Sequence, residues 1–272
     1  MTQSSRSLRN SKLIIRRITE SLRAQDFTIV AIELFILIVG VFVGIQVSNW
    51  NDARIDQTRA HSYLERIRAD LDADILNYHD RMRFWEEVSE YGAQGLSYAR
   101  TGNLGDLAEW DLLLAYFQTS QLAEFYTTRT TYEELKSGGE LGLIDDIELR
   151  NSFTYYYTTA DNPVLTERPA YREHVRGKIP LHIQNYIWDN CYTSNEFGIQ
   201  KMRACEAPVD GKEAALIIEA IRGDHQLMSE LRYWMSTMRV ALFMGRDRTA
   251  YAKRLRDSID TKIDGVSVIE NP

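Results

Sequence analysis

The sequence predicts an all-α protein: one N-terminal transmembrane helix followed by an extracytoplasmic helical bundle whose long first and last helices pack antiparallel. Three observations carry this. Residues 27–47 are apolar with a single charge, Glu33. From Asn51 to Tyr91 there is no Gly or Pro, and Leu64, Leu71, Tyr78 and Trp85 recur at seven-residue spacing with Ile67 and Val88 between them. Residues 225–263 repeat a helical period through Leu227, Leu231, Trp234, Met238, Leu242, Tyr251, Leu255 and Ile259, a stretch long enough to lie against residues 52–91.

Charge divides the chain into a cytoplasmic basic head (1–26), a transmembrane helix (27–49) and a periplasmic all-α domain (50–272). The head carries Arg6, Arg9, Lys12, Arg16, Arg17 and Arg23 against Glu20 and Asp26, a net of +4. Six of the 32 bases and three of the 39 acids lie in residues 1–50, so 51–272 holds 26 bases and 36 acids, a net of −10. Phe27–Val47 spans about 31 Å as a helix, enough for a hydrocarbon core. A cleaved leader is the competing reading, but its basic region would be long and the exit, Gln46-Val47-Ser48-Asn49-Trp50, offers no small-x-small site. Arg16-Arg17 lies too far before the apolar run for a twin-arginine signal. Bases stay cytoplasmic, so the N-terminus is expected inside and the body in the periplasm of a bacterial inner membrane, with Trp50 at the outer interface.

The head places Leu8, Ile15, Ile18 and Leu22 on one side, the pattern of an amphipathic helix on an anionic leaflet. On a helix turning about 100° per residue, Leu37, Gly40, Gly44 and Val47 fall within about 40° of Glu33. Small residues and a polar group on one stripe fit a helix–helix interface, to a second copy or another membrane protein. The alternative is that hydrocarbon begins at Leu34 and Glu33 marks the headgroup boundary.

Further along, residues 92–105 read as a Gly-bearing connector and Leu107–Leu122 as a buried helix. Thr130 with Glu133, or Thr131 with Glu134, fits a capping box, and Ser137-Gly138-Gly139 stops that helix. Asp145 or Asp146 opens the next, and Asn162-Pro163 marks a turn. Glu167–Trp188 reads as one helix bent at Pro169 and Pro180. Cys191 and Cys205 sit in one short segment, and an oxidising compartment favours their disulfide over two unrelated thiols. Gly211–Ile221 is a helix, closed by a turn at Gly223-Asp224.

The stretch carrying Gln46, Asn49, Trp50, Asn51 and Arg54, followed by YLERIRADLDADI, resembles an uncharacterised bacterial family of single-pass membrane proteins. Its members have a span ending in a Gln-x-x-Asn-Trp-Asn-acid-x-Arg signature. Tyr132, Leu135, Ser137, Gly139, Ile144, Leu149 and Arg150 match the family's middle region; Asp52 stands where Glu is commoner. The resemblance implies a helical extracytoplasmic part and brings no activity.

No catalytic motif stands out. Asp70, Asp72 and Asp74 lack the glycine of a calcium loop and fall on different faces of a helix. His61, His79, His174, His182 and His225 show no metal-ligand spacing, so no metal and no cofactor is expected. Tyr126, Arg129, Tyr132, Tyr155, Tyr156, Tyr157 and Tyr171 form a candidate ligand or partner patch, or else core; three consecutive Tyr cannot all face inward. The acidic body disfavours nucleic acid. The expected role is a non-enzymatic anchored interaction or assembly protein. The alternative is a periplasmic sensor that binds a small ligand and signals through a partner.

Overall fold

The computed structural model describes residues 4–123, 126–159, 168–195 and 200–267, with side chains over 31–123, 126–159, 168–195 and 200–264. The chain divides into two compact units, Met1–Ala60 and His61–Pro272. Helix α1, Ser4–Thr101, contributes to both.

In the first unit the backbone is helical from Ser4 onward. The predicted amphipathic face of the head falls on residues outside the described side chains. Every described side chain from residue 31 to 59 is exposed, including Ile32, Phe35, Phe42 and Trp50. An 18-residue window here reaches a mean hydropathy of 2.3, so the helix is long and apolar enough to cross a membrane by length and composition.

The second unit is helical apart from one short ribbon among its described residues. After α1 come α2 (Glu109–Gln118), α3 (Thr130–Ser137), a 3-10 turn (Glu140–Leu143) and α4 (Ile147–Thr158). Next are α5 (Ala170–Lys178), α6 (Leu181–Asn190), strands β1 (Tyr192–Ser194) and β2 (Gln200–Met202), α7 (Gly211–Arg222) and α8 (His225–Ser267). The first and last helices run antiparallel, as predicted. Arg68 pairs with Asp260 at 3.3 Å, Arg256 with Asp72 at 3.2 Å and Arg246 with Glu86 at 3.5 Å, while Gly92 meets Met235. Numbers rising along α1 fall along α8 in step. The heptad residues Leu64, Ile67, Leu71, Tyr78, Trp85 and Val88 are all buried.

α2 is the apolar centre: Leu112, Leu113, Tyr116 and Phe117 are fully buried, and the helix packs on α7 and α5. The end of α2 and the turn after it, Gln118–Gln121, are buried too, and their polar groups find partners. Trp234 Nε1 donates to Thr119 O at 2.8 Å, Arg176 Nε to Ser120 Oγ at 2.9 Å and Gln118 Nε2 to Cys191 O at 3.1 Å. Arg176 also lies over the rings of Phe117 (4.7 Å) and Trp188 (5.1 Å), and burial pulls its pKa down to about 10.

Several sequence expectations are corrected. The 92–105 connector begins only at Gly102, which takes φ 66°; Gly92 and Gly95 lie inside α1. They are glycine because Met235 and the Tyr116 ring lie where a Cβ would stand, 2.1 and 2.7 Å from it. The predicted 107–122 helix shortens to Glu109–Gln118, its start fixed by Asp111 Oδ2 accepting from Ala108 N at 3.1 Å. The Glu167–Trp188 helix is two helices, because Pro169 caps α5 and Pro180 ends it. Residue 167 and Asn162-Pro163 lie outside the described residues. No capping box forms at α3: the cap position is held by Arg129, whose side chain does not cap the helix, and Glu134 instead holds Arg66. The Cys191–Cys205 loop contains the antiparallel ribbon, with Tyr192 opposite Met202, inside an otherwise all-α body. The stops at Ser137–Gly139 and Gly223-Asp224 and the start at Asp146 stand as read: Asp146 Oδ1 accepts from Leu149 N at 3.0 Å, and Asp224 Oδ1 from Leu227 N at 3.1 Å.

Candidate functional site

In the first unit Glu33, Leu37, Gly40, Gly44 and Val47 share one face of α1, all exposed, and a Cβ at either glycine would meet nothing within 4 Å. Gln46, Asn49, Trp50, Asn51 and Arg54 follow, also exposed, with Trp50 at 69 %. The apolar face is therefore uncovered among the described residues of this unit.

Cys191 and Cys205 form a disulfide with Cα atoms 5.2 Å apart. The bonded loop is tied to α2 at both ends, since Trp110 Nε1 donates to Cys205 O at 3.0 Å and Gln118 to Cys191 O.

The tyrosine patch divides. Tyr132, Tyr156, Tyr157 and Tyr171 are buried, while Tyr126 (64 % exposed) and Tyr155 (54 %) face outward. Tyr132 stacks on Tyr157 at 4.5 Å, and Tyr156 meets Tyr157 edge-on at 5.0 Å. Arg129 is half-buried. Tyr171 donates its hydroxyl to Tyr116 O at 2.8 Å. Tyr155 borders a shallow depression of about 400 Å³ with Tyr251, Arg248 and Arg254.

Beneath the buried rings lies a carboxylate. Asp74 is 0 % exposed, with Tyr156 Oη–H donating to Oδ2 at 2.7 Å and Thr128 N–H to Oδ1 at 2.8 Å. Burial raises its pKa to about 6 against the pull of those two hydrogen bonds, and Asp70 pushes the same way. Burial also raises the Tyr156 and Tyr157 hydroxyls well above the usual phenol range. The Tyr157 hydroxyl and Asp70 Oδ2 are buried without a hydrogen-bond partner among the described residues. This cluster fastens the 126–129 strap and α4 to α1.

A larger concave surface lies elsewhere in the second unit, where the end of α1 meets the end of α7 and the start of α8. It is an open cleft of about 940 Å³ lined by Leu96, Arg100, Arg222, His225, Met228 and Arg232, among others. Its acidic wall residue, Glu219, accepts from the Tyr98 hydroxyl at 2.6 Å and sits 3.5 Å from Arg222, whose guanidinium lies over the Tyr98 ring. Next to His225, Asp224 pairs with Lys178 at 2.9 Å and with His174 Nε2 at 3.0 Å, and Lys178 above all lowers its pKa to about 2. His174 Nδ1 faces Glu230 at 3.1 Å. None of the cleft's cations was a sequence-predicted site residue. The one sequence signal is the seven-residue recurrence of Arg232, Arg239 and Arg246 along α8. Among the described residues no group of three or more His, Cys, Asp or Glu is arranged to hold a metal.

Compared with protein-family models, with curated proteins and with solved structures, the chain matches none. What fold and site define is thus a class: a helical, disulfide-closed body on a chain that also carries one apolar helix.

Proposed function

We propose that the protein is a non-enzymatic, membrane-anchored interaction protein of the bacterial inner membrane, self-associating or joining a larger complex. In this reading it crosses the bilayer once, with its N-terminus in the cytoplasm and its helical body in the periplasm. The observation that carries it is the apolar segment of residues 31–50, exposed throughout, with nothing among the described residues within 4 Å of a Cβ at Gly40 or Gly44 on the Glu33 face. Polar and small residues on one face of a lipid-embedded helix favour close approach of a second helix. The basic head and acidic body support the orientation, the disulfide supports an oxidising compartment, and the Gln46–Arg54 signature supports membership in the single-pass family it resembles.

The test is the native mass of the full chain extracted in a mild detergent. The expected result is an integer multiple of 31.5 kDa, or added mass from a second polypeptide, with Glu33→Leu shifting the population toward monomer. A wild-type monomer at every protein-to-detergent ratio would overturn the reading.

A second reading, a periplasmic module that binds a small ligand, is favoured by one observation: the cationic cleft between α1, α7 and α8.

A further inference from the structure

The cleft inverts the charge of the body around it. Residues 51–272 carry a net of −10, yet this surface presents Arg100, Arg222, Arg232 and His225 against Glu219 alone. Glu219 is already engaged by Tyr98 and Arg222. Arg100, His225 and Arg232 make no ion pair or hydrogen bond among the described residues. Arg222 is braced on the Tyr98 ring, and a Cβ at Gly102 would lie 2.9 Å from its Nη2, so its head group is held against α1. The start of α8 is capped by Asp224, so the positive field comes from side chains rather than from an open helix end. Ala93, Leu96, Ala99 and Met228 supply an apolar wall. The volume is that of a small-molecule site rather than a macromolecular groove.

We propose that this cleft binds a small, multiply charged oxyanion, a phosphoester or a polycarboxylate, through Arg100, Arg222 and Arg232. Guanidinium forks match both phosphate and carboxylate oxygens in bidentate geometry. Cations drawn from three separate helices select two or more negative charges on one ligand, and the apolar wall takes its carbon skeleton. The inference rests on the second reading above and not on the membrane anchor.

The experiment is isothermal titration of the full chain in a neutral detergent with pyrophosphate and, separately, with citrate. Saturable one-site binding of either probe is expected; pyrophosphate alone points to phosphoesters and citrate alone to polycarboxylates. Arg100→Ala and Arg232→Ala should each weaken the bound probe about tenfold or more, the loss of one charge-assisted contact. Both side chains are exposed and without a partner among the described residues, so unchanged far-ultraviolet spectra are expected. Arg239→Ala, on α8 outside the cleft, should leave the affinity as it is. Absence of saturable binding for both probes, or an equal loss from Arg239→Ala, would overturn the proposal. A wild-type mass that stays monomeric while the probe still binds would sink the assembly reading alone.

Discussion

Replacing Asp74 by Asn tests the interior of the bundle at its most charged point. The folded pKa of Asp74 is about 6 against 3.8 for the unfolded chain, because burial disfavours the carboxylate more than Thr128 and Tyr156 stabilise it. The folded state therefore holds the proton more tightly. Stability contributed by this group is fully present below about pH 3.8 and is lost as pH rises through about 6. The difference corresponds to about 3 kcal/mol. Asn fills the same volume, keeps an acceptor for Thr128 N–H and does not titrate. Urea unfolding of both proteins in neutral detergent, followed by tryptophan fluorescence, measures the gap between them. Near pH 4 Asp74→Asn should be no more stable than wild type. By pH 7.5 it should have gained about 3 kcal/mol on wild type, the size of the carboxylate's burial penalty. A gap that stays constant across that range would refute the claim that a buried carboxylate is ionised against its surroundings.

Gly95→Ala should destabilise by about 1–3 kcal/mol in the same assay, although alanine is the better helix former, because the new methyl would stand 2.7 Å from the Tyr116 ring. An unchanged or raised midpoint would show that the ring gives way. Cys191→Ser with Cys205→Ser should cost about 3 kcal/mol through the freed loop, and reducing the wild type should reproduce that loss. Equal stability of oxidised and reduced protein would mean that the ribbon and the Trp110 and Gln118 contacts hold the loop alone.

The long elements were legible because each is written in a local period. Leu64, Leu71, Tyr78 and Trp85 announce the buried stripe of α1, and Leu227 through Ile259 announce that of α8. Failures fell where a distant residue decides a local outcome. Gly92 and Gly95 read as loop residues because Met235 and Tyr116, which need their space, lie far along the chain. Glu134 read as a cap because its real partner, Arg66, is 68 residues away. Asp74 read as one of three carboxylates on different faces of a helix; its acceptors are used by Thr128 and Tyr156, 54 and 82 residues on. The three consecutive tyrosines were read correctly in part, since helical geometry alone forces one of them, Tyr155, outward.

The cleft was illegible for a further reason, which bears on how charge totals are used. A net of −10 over the body argues against large polyanions, which sample the whole surface. A small ligand samples only charges within a Debye length, about 8 Å at physiological ionic strength. Over that range the acids that make the body acidic are screened or already engaged, as Glu219 is by Tyr98 and Asp224 by Lys178. Arg100, Arg222 and Arg232 come together only because α1 ends where α7 stops and α8 begins, a junction that no local period records. An acidic chain can thus carry a local cationic cleft, and the sign of a local field has to be read from the fold.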